Sequence, residues 1–305
     1  MKIAITGGTG FIGSYVAEKL ISENNEVMCL DRQVGSNLQR NKKISFVQCD
    51  ISDSKRLIEA TKGVDCIIHL GALRSVKESV AKPLEYNKVN IDGTVNVLEA
   101  AKTNSIPKVI FASSSAVYGN SFNLPMRESD LALPSSPYGL SKLAGENYCH
   151  IYSETFGVDT ISFRMFNVYG PRQTAQAGVI AAFTDAVVKN QSVALYGDGS
   201  QSRDFVFIED VAQGFFLAAN SKKKFAGKVI NIANGKKFSV LEVRDMIEEF
   251  SGKKIKLVPE KWLLGDVKDT LADISLAKQT LGWSPKVSVP EGIKKTLDYY
   301  LAKER

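Results

Sequence analysis

Tyr138 and Lys142 are one helical turn apart in the segment Tyr138-Gly139-Leu140-Ser141-Lys142, which is predicted to open a helix. This spacing puts both side chains on one face of the helix. A tyrosine with an ordinary pKa of about 10 is a poor base at neutral pH, but a neighbouring ammonium favours its phenolate form. The pair could then remove the proton of a substrate hydroxyl while a hydride leaves the same carbon. Alone, the same spacing also arises by chance on helices.

A run of serines supplies a second candidate group. The predicted strand 109–112 leads into Ser113-Ser114-Ser115-Ala116-Val117-Tyr118-Gly119. Doubly wound sheets bind their ligands at the carboxyl ends of the strands, where this run would lie. A serine there can share the proton of the substrate hydroxyl, so the serine run gives the tyrosine and lysine a chemical context.

A glycine-rich turn, Gly7-Gly8-Thr9-Gly10-Phe11-Ile12-Gly13, follows the first predicted strand and precedes a helix. Glycines there let the backbone approach a pyrophosphate, which the free N–H groups and the dipole of the helix N-terminus stabilise. Asp31 ends the next strand, where a carboxylate can bind both hydroxyls of an adenosine ribose and would repel a 2′-phosphate. We therefore expect NAD as the cofactor, while the neighbouring Arg32 keeps NADP open. A tight turn without a ligand is the structural alternative.

Asp50 and Ile51 follow the third predicted strand. This position matches a contact with the adenine edge of a dinucleotide. The alternative is that Asp50 caps the N-terminus of the next helix. The sequence leaves both interpretations open.

The elements that would position these residues alternate between apolar strands and helices. Strands are predicted at 2–6, 26–30, 44–48, 66–70, 109–112 and 160–163, and helices at 11–21, 54–60, 83–103 and 137–156. Later elements are shorter, with helices near 179–189, 210–219 and 240–250 and strands near 193–196, 229–232 and 255–258, which we expect to form a lid lobe. The repetition predicts an α/β fold: a Rossmann-type doubly wound parallel sheet over residues 1–170 and a smaller C-terminal α/β substrate lobe over residues 171–305, with crossing of the chain between them allowed.

Composition limits the class of protein. A chain of 305 residues with 44% hydrophobic content suffices for a packed domain with an attached lobe. No stretch reads as a membrane span, and the chain starts with a predicted strand instead of a signal sequence. The four cysteines are scattered without the spacing of metal or disulfide sites, which predicts a reduced, cytoplasmic protein without a bound metal. The formal charge of +6 is spread along the chain, so neither nucleic acid nor a membrane is expected as a partner.

The chain resembles the extended short-chain dehydrogenases/reductases, and among them the UDP-glucose 4-epimerase branch. The resemblance covers almost the whole length and rests on the glycine turn, His69-Leu70-Gly71-Ala72, Asn90-Ile91-Asp92-Gly93-Thr94, the serine run, the Tyr138–Lys142 segment, Phe166-Asn167-Val168-Tyr169-Gly170-Pro171-Arg172, Gly197-Asp198-Gly199 through Asp210, and Gly265-Asp266. In that branch a hydride moves from sugar C4 to NAD, the keto sugar rotates, and the hydride returns to the opposite face. The resemblance therefore implies inversion at C4 of a UDP-hexose through a 4-keto intermediate.

The resemblance also implies roles for individual residues. Ser114, Tyr138 and Lys142 match the catalytic serine, the base and the ribose-binding lysine, while Asn167 and Arg203 match groups that hold the substrate diphosphate. The implied cofactor-binding residues are Gly7, Gly10, Phe11, Ile12, Gly13, Asp31, Asp50, Ile51, Leu70, Ala72, Arg74, Asn90, Tyr138 and Lys142. The implied substrate-binding residues are Ser114, Ser115, Asn167, Tyr196, Arg203, Asp266 and Thr270.

Four positions bear on which reaction and which sugar the resemblance implies. Related dehydratases carry an Asp-Glu pair directly after the catalytic Ser/Thr, and related decarboxylases carry a glutamate at the second of these positions, where this chain has Ser115-Ala116. Leu263 stands where the epimerases have a diphosphate-binding arginine, which keeps other nucleotide sugars open. Thr270 matches a gatekeeper beside the hexose, where a small residue admits a 2-acetamido group, or is an ordinary strand threonine. The alternatives are an NDP-sugar dehydratase, decarboxylase or reductase, and a non-enzymatic NAD-sensing module.

The two longest predicted helices, 83–103 and 137–156, resemble those of a four-helix dimer interface in this family. The resemblance therefore implies a homodimer. The alternative is that both helices pack only against their own sheet.

Overall fold

The structure, a computed structural model, describes residues 1–33, 35, 43–121, 123–262 and 267–303. The strands in these residues are β1 (Lys2–Thr6), β2 (Glu26–Asp31), β3 (Ile44–Gln48), β4 (Cys66–His69), β5 (Lys108–Ser114), β6 (Asp159–Met165), β7 (Asn167–Tyr169), β8 (Ser192–Tyr196), β9 (Ser202–Phe207), β10 (Lys228–Ile232), β11 (Lys237–Ser239) and β12 (Lys256–Glu260). The α-helices are α1 (Phe11–Ser22), α2 (Ser54–Ala60), α3 (Val76–Ala81), α4 (Pro83–Tyr86), α5 (Gly93–Thr103), α6 (Pro137–Phe156), α7 (Val179–Lys189), α8 (Ile208–Asn220), α9 (Val240–Ser251), α10 (Ser275–Leu281) and α11 (Val289–Lys303). Of the helices in the described ranges, none combines the length and the apolarity needed to cross a membrane.

The main sheet has seven strands in the order β10-β6-β5-β4-β1-β2-β3, and all neighbouring strands in it are parallel. The predicted doubly wound parallel sheet is therefore confirmed. The winding reverses between β1 and β4, which opens a crevice at the carboxyl ends of the strands. The glycine turn, the ends of β2 and β4 and the serine run all lead to this edge.

Helices cover both faces of the main sheet. The central strands are therefore buried on two sides, which explains why they are largely apolar. On one face, α1 and α8 pack together over the strands through residues such as Val16, Leu20 and Phe215. On the other face, a second apolar cluster joins residues of α2 and α5, such as Leu57 and Leu98, to β strands. The sheet is thus held rigidly enough to fix the strand ends that carry the candidate site.

The smaller lobe contains a three-stranded sheet in the order β11-β9-β7 and a two-stranded sheet of β12 and β8. Helices α7, α9 and α11 pack against these strands through a third apolar cluster, which includes Phe183, Phe207, Ile247 and Ile293. Strand β7 begins directly after β6 of the main sheet, so the two parts of the molecule are joined near the crevice.

Two later elements do not belong to the lid lobe in which the sequence placed them. Helix α8 packs on α1, and β10 pairs with β6 as the outermost strand of the main sheet, with Ile230 opposite Phe163. The prediction was wrong for these elements because an apolar strand pattern reports burial without naming the sheet that buries it. The division at residue 170 into a cofactor part and a substrate part stays a prediction, with this crossing of the chain included.

The predicted long helix 83–103 is interrupted. It consists of α4, a π-helical turn at Asn87–Asp92 and α5. At the junction with α5, a Cβ on Gly93 would lie 2.8 Å from Cδ1 of Ile51, so Gly93 lets the Ile51 side chain pack against the helix. π-Helical turns recur at functional sites because they re-aim side chains, and this one carries Asn90.

Candidate active site

A cavity of about 500 Å³ lies at the carboxyl ends of the main-sheet strands, where β1 and β4 diverge. All of the predicted cofactor-binding residues except Asn90 line it. The sequence missed part of its wall, which is formed by Arg172, Gln173, Thr174 and Ala177. In the described residues, no group of three or more His, Cys, Asp or Glu side chains is placed to hold a metal ion.

The glycine turn brings backbone, and not side chains, to the cavity. A Cβ on Gly13 would lie 2.3 Å from the carbonyl oxygen of Gly7, and Gly7 itself has a φ of +67°, which favours glycine. Helix α1 can therefore start immediately behind the turn, at Phe11. Among the described residues no side chain caps this N-terminus, and its first turn carries no acidic residue. The free N–H groups and the helix dipole fit a dinucleotide pyrophosphate.

Asp31 is oriented by its neighbours at the end of β2. The hydroxyl of Thr9 donates to one carboxylate oxygen at 2.7 Å, and the backbone N–H of Arg32 donates to the other at 2.8 Å. Carboxylate oxygens accept more than one hydrogen bond, so both remain able to bind ribose hydroxyls. Arg32 also lines the cavity.

Asp50 and Ile51 both line the cavity, and Asp50 is not a helix cap. Its carboxylate accepts hydrogen bonds from the backbone and side chain of Ser52 at 2.9 and 2.8 Å. The N-cap of α2 is Asp53, which accepts from the backbone N–H of Arg56. The alternative that the sequence left open for Asp50 is therefore wrong, because the helix starts three residues later. A contact between Asp50 and adenine stays a prediction.

Tyr138 lies in the first turn of α6, which Ser136 caps by accepting from the N–H of Gly139 at 3.1 Å. The side chain of Ser114, at the end of β5, lies close enough to its hydroxyl to favour the phenolate. Burial raises the pKa of Tyr138 above its usual value, and Ser114 and the positive charge of Arg74 oppose this effect without overcoming it. The serine and the tyrosine are thus neighbours, as a proton-sharing pair requires.

Lys142 donates a hydrogen bond from Nζ to the carbonyl oxygen of Ala112 at 2.8 Å, and its side chain is 5% exposed. Burial lowers the pKa of Lys142 to about 8. The sequence predicts that this ammonium favours the phenolate of Tyr138. In the structure, Nζ is 6.0 Å from the centre of the Tyr138 ring, and burial raises the pKa of the tyrosine in the protein alone. The effect of the lysine charge on the phenolate stays a prediction. The positive nicotinamide ring that would favour the phenolate belongs to the bound cofactor.

Asn90 lies behind the cavity wall instead of in it. Its side-chain amide accepts from the N–H of Leu73 at 2.8 Å and donates to the carbonyl of Leu73 at 2.9 Å. It also donates to the hydroxyl of Ser141 at 3.0 Å, and Ser141 in turn donates to the carbonyl of Tyr138 at 2.7 Å. Asn90 therefore ties the wall residue Leu73 to the helix turn that carries Tyr138. A direct contact of Asn90 with the cofactor stays a prediction.

His69, at the end of β4, connects helix α5 to the neighbouring strand β1. Its ring is bonded through Nδ1 to Thr6 Oγ1 at 2.7 Å and through Nε2 to Thr94 Oγ1 at 3.1 Å. Burial, with a smaller effect of the Lys142 charge, lowers the pKa of His69 to about 3, so the ring is neutral. Thr94 uses its own proton to bond the carbonyl of Asn90, and its oxygen therefore accepts from Nε2–H. The sequence showed His69 in a matched segment but gave no sign of this role.

Glu146 and Arg164 form a buried ion pair beside the serine run. Arg164 donates from Nε and Nη2 to the two carboxylate oxygens at 3.0 and 2.8 Å, and Ser113 donates to the same carboxylate. Glu146 lies one helical turn after Lys142 on α6, so its negative charge opposes the loss of the lysine proton. The pair joins α6 to β6, and nothing in the local sequence marks it because its members come from two elements.

The predicted substrate residues are less concentrated. Ser115 begins the 3₁₀ turn after β5, and Asn167 is exposed at the start of β7, next to the wall residue Val168. Tyr196 is 38% exposed at the end of β8. Within the described part of the chain, neither they nor Ser114 line the 500 Å³ cavity. Asp266 lies outside the described residues, as does Leu263.

Arg203 and Thr270 are almost completely buried, at 8% and 5% exposure. The guanidinium of Arg203 donates to the carbonyls of Ser202 and Lys268 at 2.8 and 3.0 Å. The hydroxyl of Thr270 accepts from the N–H of Asp204 at 3.1 Å. Neither is among the cavity-lining residues of the described chain. Their contacts with a substrate stay predictions.

A second, open cavity of about 570 Å³ lies near the loop after β8, lined by Asn120, Asp198, Ser200, Trp262 and Lys268. Four of these residues follow Tyr196 in the chain, whereas Asn120 follows the 3₁₀ turn after β5. Its mixed polar lining is compatible with a polar part of a substrate.

The comparisons with known proteins agree with this geometry. Residues 3–233 match the model of the NAD dependent epimerase/dehydratase family. The chain is 33% identical to the UDP-glucose 4-epimerase of Mycolicibacterium smegmatis, with 100% of both chains covered. It is 36% identical to a UDP-N-acetylglucosamine 4-epimerase from Methanobrevibacter ruminantium solved with UDP-N-acetylmuramic acid, at a TM-score of 0.93 and with 99% and 98% of the two chains covered. It is 33% identical to the UDP-glucose 4-epimerase of Thermus thermophilus solved with NAD, at a TM-score of 0.91 and with 98% and 99% covered. The chain belongs to the NAD-dependent epimerase/dehydratase family.

Proposed function

We propose that this chain is an NAD-dependent UDP-sugar 4-epimerase that inverts the C4 hydroxyl, most readily between UDP-glucose and UDP-galactose. The observation that carries the proposal is that Tyr138, with Ser114 near its hydroxyl, lines the same cavity as the glycine turn and Asp31, which fit a dinucleotide. Its whole-length similarity to 4-epimerases supports the same activity.

The residues of this chain perform the proton transfer. When bound, NAD supplies the reversible hydride acceptor for C4. Tyr138 takes the proton of the C4 hydroxyl at its phenolic oxygen and later returns it, while Ser114, near that oxygen, shares the proton. Lys142, fixed by Ala112, places a positive charge near both and lies where it can bind the cofactor ribose. The glycine turn and Asp31 hold the cofactor through the cycle.

The absence of a carboxylate beside Ser114 favours epimerisation over the alternatives. Ser115 and Ala116 form the 3₁₀ turn directly after Ser114, and the N–H of Ala116 donates to the Ser114 hydroxyl at 3.2 Å. A dehydratase or decarboxylase of this family would need acidic side chains at these positions. Neither residue can supply a second acid or base at the hexose.

We further propose that the chain forms a homodimer through α4 and α6. Four large apolar side chains are exposed on neighbouring helices of this face: Val80 at 55%, Leu84 at 85%, Leu140 at 55% and Ile151 at 47%. A monomer would leave them in water, and burial of such a patch favours association. Light scattering of the wild type and of Leu84→Glu would test this proposal. We expect the wild type to be a dimer and Leu84→Glu to shift toward the monomer. A monomeric wild type would contradict the proposal.

NMR of the products tests the activity. Protein without added cofactor should interconvert UDP-glucose and UDP-galactose, and supernatant from heat-denatured protein should contain NAD. The N-acetyl and uronic acid forms should be tested in parallel. Stoichiometric consumption of NAD(P)H, or a product that has lost water or carbon dioxide, would replace the proposal with one of the alternative reactions.

A further inference from the structure

A short segment of the smaller lobe forms one wall of the cofactor cavity. Residues 171–177, which we call the strap, follow β7, and four of them line the same cavity as the glycine turn: Arg172, Gln173, Thr174 and Ala177. In the sequence, only the first two residues of this stretch belong to a segment that matches the family. The strap is the part of the wall furthest in sequence from the glycine turn.

Arg172 fastens the strap to α1, the helix whose N-terminus fits the pyrophosphate. Its guanidinium donates to both carboxylate oxygens of Glu18, from Nη1 at 2.7 Å and from Nη2 at 3.0 Å. It also stacks over the ring of Tyr15, 4.3 Å from the ring centre. The side chains of Arg172 and Glu18 are largely shielded from solvent, at 16% and 28% exposure. A bidentate, partly buried pair of this kind is stronger and more directional than an exposed one.

Further bonds hold the strap on either side of Arg172. The hydroxyl of Tyr15 donates to the carbonyl of Pro171 at 3.3 Å. The side chain of Gln173 donates to the carbonyl of Val168 at 3.0 Å, and the hydroxyl of Tyr300 on α11 donates to the carbonyl of Gln173. The strap is thus attached to α1, β7 and α11 together.

The backbone of Arg172 adopts a conformation that a non-glycine residue rarely takes, with a φ of +70°. Such a conformation persists only where surrounding contacts stabilise it, and it often occurs at ligand clamps. Here the ion pair with Glu18 is a contact that can stabilise the unusual backbone of Arg172. The strained conformation therefore fits a residue that holds the cavity wall in place.

We propose that the Arg172–Glu18 pair is a positioning device that slows release of the bound dinucleotide by holding the strap against α1. The proposal rests on the proposed function, in which the cofactor is regenerated in every turnover and has no need to leave. A nucleotide sugar must be exchanged in each cycle, and it would enter and leave on the side of the cavity away from the strap. Breaking the Arg172–Glu18 pair should therefore speed the release of the cofactor.

The test is the rate at which NAD leaves purified holoprotein, followed by chromatography of the nucleotide that stays with the protein after timed gel filtration. Arg172→Met, Glu18→Gln and the double variant are compared with the wild type. We expect each single variant to release NAD about tenfold faster, as for the loss of one charge-assisted pair. The double variant should release it no faster than the single variants, because all three break the same contact.

A direct contact between the Arg172 charge and the cofactor predicts a different pattern. Arg172→Met would then lose NAD while Glu18→Gln would keep it or bind it more tightly, and this result would overturn the proposal. Unchanged release from both single variants would overturn it as well. Glu23→Gln is the matched control, since Glu23 pairs with Lys19 on the same helix without reaching the strap, and it should release NAD like the wild type.

Tyr15→Phe tests the strap with a milder change, in case the charge variants fold poorly. It removes the hydroxyl bond to Pro171 and keeps the stacked ring, so we expect a smaller acceleration of NAD release with an unchanged midpoint of thermal unfolding. Faster release that only accompanies a lowered midpoint in every variant would contradict a local role.

The release of NAD can be measured whether or not the protein epimerises a sugar. A protein that holds NAD without epimerising its substrates would contradict the proposed function alone. A protein that binds neither NAD nor NADP in titration would contradict both proposals.

Discussion

The two sides of the catalytic cleft are built differently. On the sheet side, the glycine turn, Asp31 and Asp50 stand at the ends of adjacent parallel strands, and their positions follow from main-chain pairing and close glycine contacts. On the lobe side, Asn167, Tyr196 and Arg203 come from strands of two different small sheets. Arg203 is held by the carbonyl of Lys268, 65 residues further along the chain.

The difference suits the two roles that the proposed function gives to the two sides. The sheet side has backbone and fixed polar groups, which would hold a cofactor that stays bound. The predicted substrate residues of the lobe side have neighbours from distant segments, so we expect them to govern which sugar is bound. Substitutions on the sheet side should therefore affect chemistry and cofactor binding, and substitutions on the lobe side should affect the choice of sugar.

The largest effect should come from Tyr138→Phe. The change removes the hydroxyl that transfers the proton and leaves the ring packed edge-on against Tyr86 at 6.5 Å. We expect the turnover rate to fall by about 10²-fold or more, the usual contribution of positioned acid–base catalysis, with circular dichroism and NAD content unchanged. Tyr148→Phe, on the exposed face of the same helix, is the control and should keep its rate. A variant that retains more than about a tenth of the wild-type rate would remove Tyr138 from its role.

Asp31→Ala should weaken NAD binding by about tenfold or more, because it removes charge-assisted hydrogen bonds to the ribose. NADP binding should weaken less, since the repulsion of a 2′-phosphate disappears at the same time. Isothermal titration of protein stripped of its cofactor measures both. Asp50→Asn is the comparison: it lies at the predicted adenine end and should change both affinities by the same factor. Equal losses of both cofactors in Asp31→Ala would contradict the ribose contact.

Turnover should decrease above pH 8. Burial lowers the pKa of Lys142 to about 8, so the ammonium is charged below that pH and neutral above it. The charged form favours the phenolate of Tyr138, and the rate should fall by about tenfold per pH unit once the proton is lost. A profile of kcat between pH 6 and about 10 measures this limb. A rate that stays constant through pH 9 would mean that the lysine charge does not support catalysis.

The smallest effect should be a change of selectivity on the lobe side. Thr270→Tyr adds a ring at the position of the gatekeeper, and we expect the ratio of kcat/KM for UDP-N-acetylglucosamine to that for UDP-glucose to fall by about tenfold, as steric exclusion in a pocket allows. Because Thr270 also bonds the N–H of Asp204, Thr270→Val serves as the control for loss of the hydroxyl alone. Equal losses for both sugars would assign Thr270 to the lobe's structure instead of its selectivity.

Much of the sheet side was predictable because its signals are local. The glycine turn needs only a strand before it and a helix after it, and Tyr138 and Lys142 need only one helical turn between them. These features appeared in the structure where the sequence placed them, and the glycine turn, Asp31 and the Tyr–Lys pair line one cavity. The parallel, doubly wound sheet that the alternation of strands and helices predicted is also confirmed.

The class of fold, the glycine turn and the Tyr138–Lys142 spacing could thus be read from the sequence, because each leaves a local pattern of residues. The completion of the main sheet by β10, the support of the cavity wall by Asn90 and His69, and the meeting of Arg172 with Glu18 across 154 residues of chain became visible only in the folded structure. Hydrophobic periodicity tells which side of an element is buried and does not identify what covers it. Contacts between residues far apart in the chain, such as Arg172 and Glu18, depend on the packing of the whole chain. No local pattern links two side chains that meet only after folding.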